Sequence, residues 1–214
     1  MKKSVAVLGL GKYGKSLAEN LYNLGADVLA VDQDEALIND FSERCTAAVC
    51  ANLTNEDEVA LLGLKNMDIV VTAMGSNLAA SIMSVAVAKE QGVPVVIAKT
   101  SSERMSSILR KVGADKILNP EGEGGARSAR ILLSSSFKDF FELGEGLYMI
   151  EMSPKKEWIG KNLAQLQLRK SMNLNIAAVR EKGGKWHHID PRTPLAADST
   201  LLVIMEKKTM EQWT

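Results

Sequence analysis

Cysteine is scarce. Cys45 and Cys50 are the only two, with four residues between them, a spacing that matches no common zinc or redox pattern. The chain is therefore expected to keep both thiols free, as in a reducing cytosol. An excess of charge is also missing, with 26 basic residues against 26 acidic ones. No net field draws the chain to nucleic acid or to an anionic membrane, and no nucleic-acid partner is expected. No secretory leader is expected either. The run Val5 to Leu10 stops at glycines and Lys12, too short for the apolar region of a signal peptide. One long uncharged stretch exists, Ile69 to Ala88, twenty residues and enough to span a bilayer. It contains Thr72, Gly75, Ser76, Asn77, Ser81 and Ser84, and it reads as strand, turn and buried helix rather than a membrane span.

What is present is an alternation of short apolar runs and helical patterns. Val5–Leu8, Asp27–Val31, Ala47–Val49, Ile69–Val71, Val93–Ala98 and Lys116–Leu118 read as strands. Between them lie helical segments, with Leu17, Leu21 and Leu24 at helical spacing and Gly25 as a stop. Further helices are expected over Glu35–Arg44, Asn55–Leu62 with Thr54 as cap, Asn77–Gln91, Ser102–Lys111 and Glu123–Ser135. Repeated strand–helix–strand units predict an α/β fold of Rossmann type, a parallel sheet covered on both faces. Strands such as Ile69–Val71 are apolar throughout, as double coverage demands. After Ser136 the pattern changes. Phe137, Phe140, Phe141 and Tyr148 cluster, strands are expected at Leu147–Met152, Leu174–Arg180 and Thr200–Glu206, a helix at Leu163–Met172 and a turn at Gly183-Gly184. This is a small α+β unit, so the domains are placed at 1–136 and 137–214.

The segment Gly9-Leu10-Gly11-Lys12-Tyr13-Gly14-Lys15-Ser16 satisfies two motifs at once. One is G-x-G-x-x-G, where Gly9 makes the turn, Gly11 lets a pyrophosphate approach the backbone and Gly14 lets helix pack on strand. The other is G-x-x-x-x-G-K-S, where Lys15 reaches phosphates and Ser16 binds magnesium. The loop follows the first strand directly, and Lys15 and Ser16 fit the exposed helix face. Asp32 ends the next strand eighteen residues after Gly14, near the distance at which a carboxylate bonds a ribose hydroxyl. These favour the dinucleotide reading. Against it, an apolar strand ending in Asp32 also resembles the magnesium-holding strand of NTPases. A carboxylate at Asp32 repels a 2′-phosphate, so NADPH is expected to bind poorly.

The order Val7-Leu8-Gly9-Leu10-Gly11-Lys12-Tyr13-Gly14, Ala30-Val31-Asp32, Ala51-Asn52, Thr72-Ala73-Met74-Gly75-Ser76-Asn77 and Asn119-Pro120-Glu121 resembles an RCK (regulator of potassium conductance) domain. The likeness is to the cytosolic Trk/Ktr type and covers nearly the whole chain, the part after about residue 140 resembling the small C-terminal RCK subdomain. The resemblance implies a regulatory subunit, not an enzyme. It implies homodimers assembling into a ring, octameric in count, on a membrane-embedded potassium-translocating subunit at the inner face of the cell membrane. ATP, ADP or NAD(H) in the glycine crevice would gate transport. By position, Gly9, Gly11, Lys12, Tyr13 and Gly14 would line the phosphates, and Asp32 with Gln33 the ribose. Asn52, Leu53, Ala73, Met74, Gly75 and Asn77 would flank base or ribose. Lys99 and Glu121 would lie near the phosphates, and Glu121 would hold a bridging cation or simply cap its helix. Lys12 stands where the family carries Arg, and Asn52 where it carries Asp. Arg169, Asn175, Ile176 and Pro194 fall where some relatives bind cyclic di-AMP. The alternative is a small NAD-dependent oxidoreductase, for which His187, His188 and Tyr148 form no recognisable constellation and no Tyr-x-x-x-Lys pair occurs.

Overall fold

Six short strands form one parallel sheet in the order β3-β2-β1-β4-β5-β6. They are β1 (Ser4–Leu8), β2 (Asp27–Asp32), β3 (Ala47–Cys50), β4 (Ile69–Thr72), β5 (Val95–Lys99) and β6 (Lys116–Leu118). This computed structural model describes residues 2–133 and 137–211. The chain forms two units, Met1–Gly122 and Glu123–Thr214.

In the first unit the central strands feed two cores, because successive side chains leave a strand on opposite faces. Ala6 and Leu8 join one core, and Val5 and Val7 the other. The Val5–Val7 face is covered by α1 (Lys12–Asn23) and α2 (Glu35–Phe41), through Ala18, Ile38 and Phe41. The opposite face is covered by α3 (Glu56–Leu61), α4 (Leu78–Glu90) and α5 (Glu103–Val112), through Val59, Val85 and Leu109. Leu17 and Leu21 pack against the first of these faces, but Leu24 lies past the end of α1 and is exposed. The uncharged stretch from Ile69 becomes β4, a loop and most of α4. Among the described residues no helix is long and apolar enough to cross a membrane.

Caps set the helix starts. Asp34 accepts from Ala36 N and Leu37 N, and Asn77 accepts from Ala80 N. At α3 the cap is Asn55, which accepts from Asp57 N at 3.0 Å, and not Thr54, which bonds Asn52 instead. The helix expected to reach Arg44 ends at Phe41 and tightens into a 3-10 turn, Ser42–Arg44. Helix α6 (Pro120–Leu133) starts three residues before the expected Glu123. Proline suits a first helical position, and the Asn119 side chain accepts from Gly122 N at 3.0 Å. Ser134 and Ser135, expected to end this helix, lie outside the described residues, as does Ser136 beside the expected boundary. The division into units falls earlier, within α6.

The second unit is an antiparallel sheet in the order β7-β8-β10-β9. Its strands are β7 (Phe137–Gly144), β8 (Leu147–Met152), β9 (Leu174–Arg180) and β10 (Thr200–Glu206). Tyr148, Ile150 and Met152 alternate into a core shared with Trp158, Leu201, Val203 and Met205. The sequence pattern does not reveal β7, because register shifts near Phe137 and Glu142 break its period of two. The single helix expected over Leu163–Met172 is two, α7 (Leu163–Leu166) and α8 (Leu168–Met172), separated by Gln167 in the left-handed region. The expected turn is present. Gly183 has φ +74°, and Val179 and His187 exchange backbone hydrogen bonds across it. The short helix α9 (Lys207–Glu211) follows β10.

Candidate functional site

The strand order reverses between β1 and β4, so the loops after these two strands part and leave a crevice at their carboxyl ends. The glycine turn forms one wall. Gly9 has φ +98°, and a Cβ on it would lie 2.5 Å from Met74 Cγ. A Cβ on Gly14 would lie 1.9 Å from Gly9 O, so Gly14 lets the helix close on the turn behind it. Asp32 ties the turn to β2. Its carboxylate accepts from Leu10 N at 2.6 Å and from Asp34 N at 3.1 Å. The other wall, Met74 to Asn77, is held from behind by Ser81, whose hydroxyl lies 2.8 Å from Met74 O and 2.9 Å from Asn77 O.

Gly11 differs from its neighbours. Its φ is −61°, open to any residue, and a Cβ there would meet no protein atom within 4 Å. Neither backbone strain nor packing within the chain demands glycine. Gly11 lines the crevice and precedes the first turn of α1, which has no side-chain cap and no acidic residue. The free N–H groups and positive end of that helix suit an anion brought close to the backbone. The residues present thus fit a bound pyrophosphate.

The crevice has a volume of about 590 Å³. Its lining includes Gly9, Gly11, Lys12, Tyr13, Asp32, Gln33, Leu53, Ala73, Met74, Gly75, Asn77, Lys99 and Glu121. Two of the expected residues do not line it. Gly14 packs behind the turn, and exposed Asn52 bonds Thr54 N at 3.0 Å and Thr54 Oγ1 at 2.8 Å. Ser76, Ala80 and Ser101 line it unforeseen. Ser101 could have been found by applying the carboxyl-end rule to β5. Lys99 Nζ lies 2.6 Å from Glu121 Oε1 and 5.7 Å from the centre of the Tyr13 ring. The lysine holds the Glu121 carboxyl below its ordinary pKa. Glu121 therefore pairs with Lys99, and among the described residues no group of three His, Cys, Asp or Glu could hold a metal. Lys15 does not line the crevice. Its ammonium is turned towards Asp40 of α2, 3.9 Å away, and Ser16 is exposed, so neither takes the position an NTPase loop requires. Both thiols are free, with Cys45 buried and Cys50 exposed.

The second unit has its own cavity, of about 460 Å³, which brings together Arg169, Asn175 and Ile176. Arg169 Nε donates to Asn175 Oδ1 at 2.8 Å. Pro194 lies elsewhere, at a cavity of about 190 Å³ beside His187 and His188.

A family model for the TrkA-N domain matches residues 5–120. The chain belongs to the TrkA-N family. The matched TrkA-N segment contains every strand of the parallel sheet but the first residue of β1, and every crevice residue but Glu121. Over 210 residues the chain is 33% identical to Ktr system potassium uptake protein C of Bacillus subtilis (strain 168), covering 98% of this chain and 94% of that protein. Among solved structures it resembles the GsuK channel bound to NAD, with TM-score 0.67 and 15% identity, over 98% of this chain and 38% of that one. It also resembles GsuK bound to ADP, with TM-score 0.52 and 14% identity, over 61% of this chain and 34% of that one. At these identities the likeness to GsuK is one of fold, and the TrkA-N chain spans well under half of those channel chains.

Proposed function

We propose that this chain is the cytosolic regulatory subunit of a Ktr-type potassium-uptake system, with an adenine nucleotide in the glycine crevice as its signal. The observation that carries this reading is Gly11, a glycine that the protein's own packing leaves unexplained at the mouth of an uncapped helix. The relatives support the setting. The Bacillus protein is named for potassium uptake, and the GsuK structures hold NAD and ADP. The site residues proposed are those lining the crevice, with Gly14 supporting the turn. The domain limits proposed are 1–136 and 137–214.

Asp32 would bind the ribose with the carboxylate lone pairs left beyond its two backbone bonds, and the α1 N-terminus with Lys12 would take the phosphates. A nucleotide regulates only if it binds one arrangement of the assembly better than another. The proposed assembly is a ring of homodimers beneath a membrane-embedded potassium-translocating subunit. Glu121 would hold a bridging cation once it has parted from Lys99. The test is potassium uptake by vesicles containing the membrane partner and this chain. ATP, ADP and NADH are expected to give different rates, and equal rates with all three would remove the regulatory reading.

A cyclic di-AMP site is proposed at the second-unit cavity, where Arg169 offers a cation beside Asn175 and Ile176. No heat on titration with cyclic di-AMP would remove it. The oxidoreductase reading gains no support from the second unit. Tyr148 is buried in its core, and His187 and His188 are exposed on the return after β9.

A further inference from the structure

Four charged side chains line the crevice, Lys12, Asp32, Lys99 and Glu121, and their formal charges cancel. They are not equally available. Asp32 already accepts two backbone N–H groups. Lys99 is only 9% exposed, its ammonium bonded to Glu121 and lying over Tyr13. It also packs close to the loop after β4, since a Cβ on Gly75 would lie 2.9 Å from Nζ. Lys12 is exposed and makes no ion pair among the described residues.

We propose that the Lys99–Glu121 ion pair sorts ligands by their phosphate ends, staying closed over the pyrophosphate of a dinucleotide and opening for the terminal phosphate of ADP or ATP. The proposal rests on the reading of the crevice as an adenine-nucleotide site and adds which ligand class the resting site prefers. Tyr13 belongs to the first turn of α1, and Lys99 lies over its ring, so a phosphate chain running past the helix N-terminus meets Lys99 next. In a dinucleotide each phosphorus of the pyrophosphate carries one ester and one anhydride bond, and so a single negative charge. The α1 N-terminus and Lys12 answer its charge without help from Lys99. ADP and ATP end in a phosphate held by a single anhydride bond, whose second ionisation falls near neutral pH. That extra charge meets the Glu121 carboxylate unless the pair opens.

The pair is built to open from one side. The Lys99 side chain is 11% exposed and that of Glu121 is 57% exposed. Glu121 can return to water, where it loses little, while Lys99 stays and exchanges a carboxylate for a phosphate oxygen. The cost of breaking the pair falls on mononucleotides alone, and such a difference is what discrimination requires.

The test is calorimetric titration of the full chain with NADH, ADP and ATP in metal-free buffer, for the wild type and Glu121→Gln. The substitution keeps the shape and removes the competing charge from an exposed position. The ratio of ATP affinity to NADH affinity is expected to rise about tenfold, and that of ADP to NADH likewise. Lys99→Gln is expected to move both ratios the other way, with thermal unfolding recorded to establish that each variant folds. A folded Glu121→Gln that leaves the ratios unmoved, or lowers them, overturns the proposal while leaving the nucleotide site standing. A wild type that binds none of the three overturns both.

Discussion

Gly11→Ala is expected to fold normally and to bind adenine nucleotides about a hundredfold more weakly, a loss of about 3 kcal/mol. Gly14→Ala is expected to lose the fold of the first unit instead. The two glycines sit three residues apart in one motif, yet their surroundings differ. A methyl group on Gly11 has open space on the protein side and an allowed φ. Its cost to stability is at most about 1 kcal/mol, from a poorer N-cap residue. The same methyl group stands where a phosphate would touch the backbone of the turn. On Gly14 the methyl group would sit 1.9 Å from Gly9 O, a backbone atom that cannot swing aside. Overpacking of that kind costs about 3 kcal/mol or more. Thermal unfolding and nucleotide titration of both variants check the contrast. Equal loss of stability in the two would mean that Gly11 is a packing residue, and the observation that carries the functional reading would be gone.

Asp32→Ala is expected to weaken NADH, ADP and ATP together, by about a hundredfold. In the proposed site the carboxylate accepts from ribose hydroxyls, and each hydrogen bond to a charged group contributes roughly 1.5–3 kcal/mol. The substitution also frees Leu10 N, bonded to the carboxylate at 2.6 Å, so the glycine turn loses its tie to β2. Asp32→Asn separates the two effects. Its amide oxygen can still accept from Leu10 N, while its NH2 takes the place of the oxygen that accepts from Asp34 N and faces the sugar as a donor. The turn is expected to hold and affinity to drop about tenfold. Removing the carboxylate also removes its repulsion of a 2′-phosphate, so NADPH is expected to lose less affinity than NADH. If Asp32→Ala binds all four ligands as the wild type does, Asp32 is a tie for the turn and nothing more.

Much of the crevice was legible in the sequence because glycine carries geometric information. Gly9 needs a positive φ and Gly14 a missing side chain, and strand followed by loop followed by helix puts both at the end of β1. Asp32 followed from its distance along the chain, since a strand of known rise must end beside its neighbour. The Lys99–Glu121 pair was legible only as two residues near the phosphates. They are far apart in sequence, and their contact depends on where β5 and the start of α6 meet in space. Asn52 had the right place after β3, but its side chain turned inward to its own loop through Thr54. Strand β7 escaped because its bulges erase the alternation that marks a half-buried strand. The split at Gln167 escaped because a left-handed glutamine leaves no trace in an apolar pattern.

The most direct test is to denature freshly purified wild-type chain, analyse the released small molecules by mass spectrometry, and titrate the emptied protein with ADP, ATP and NADH. An adenine nucleotide is expected in the extract, with saturable binding, one per chain, of at least one of the three. An extract without adenine nucleotide, together with no binding of any of them, would mean that the crevice is not a nucleotide site.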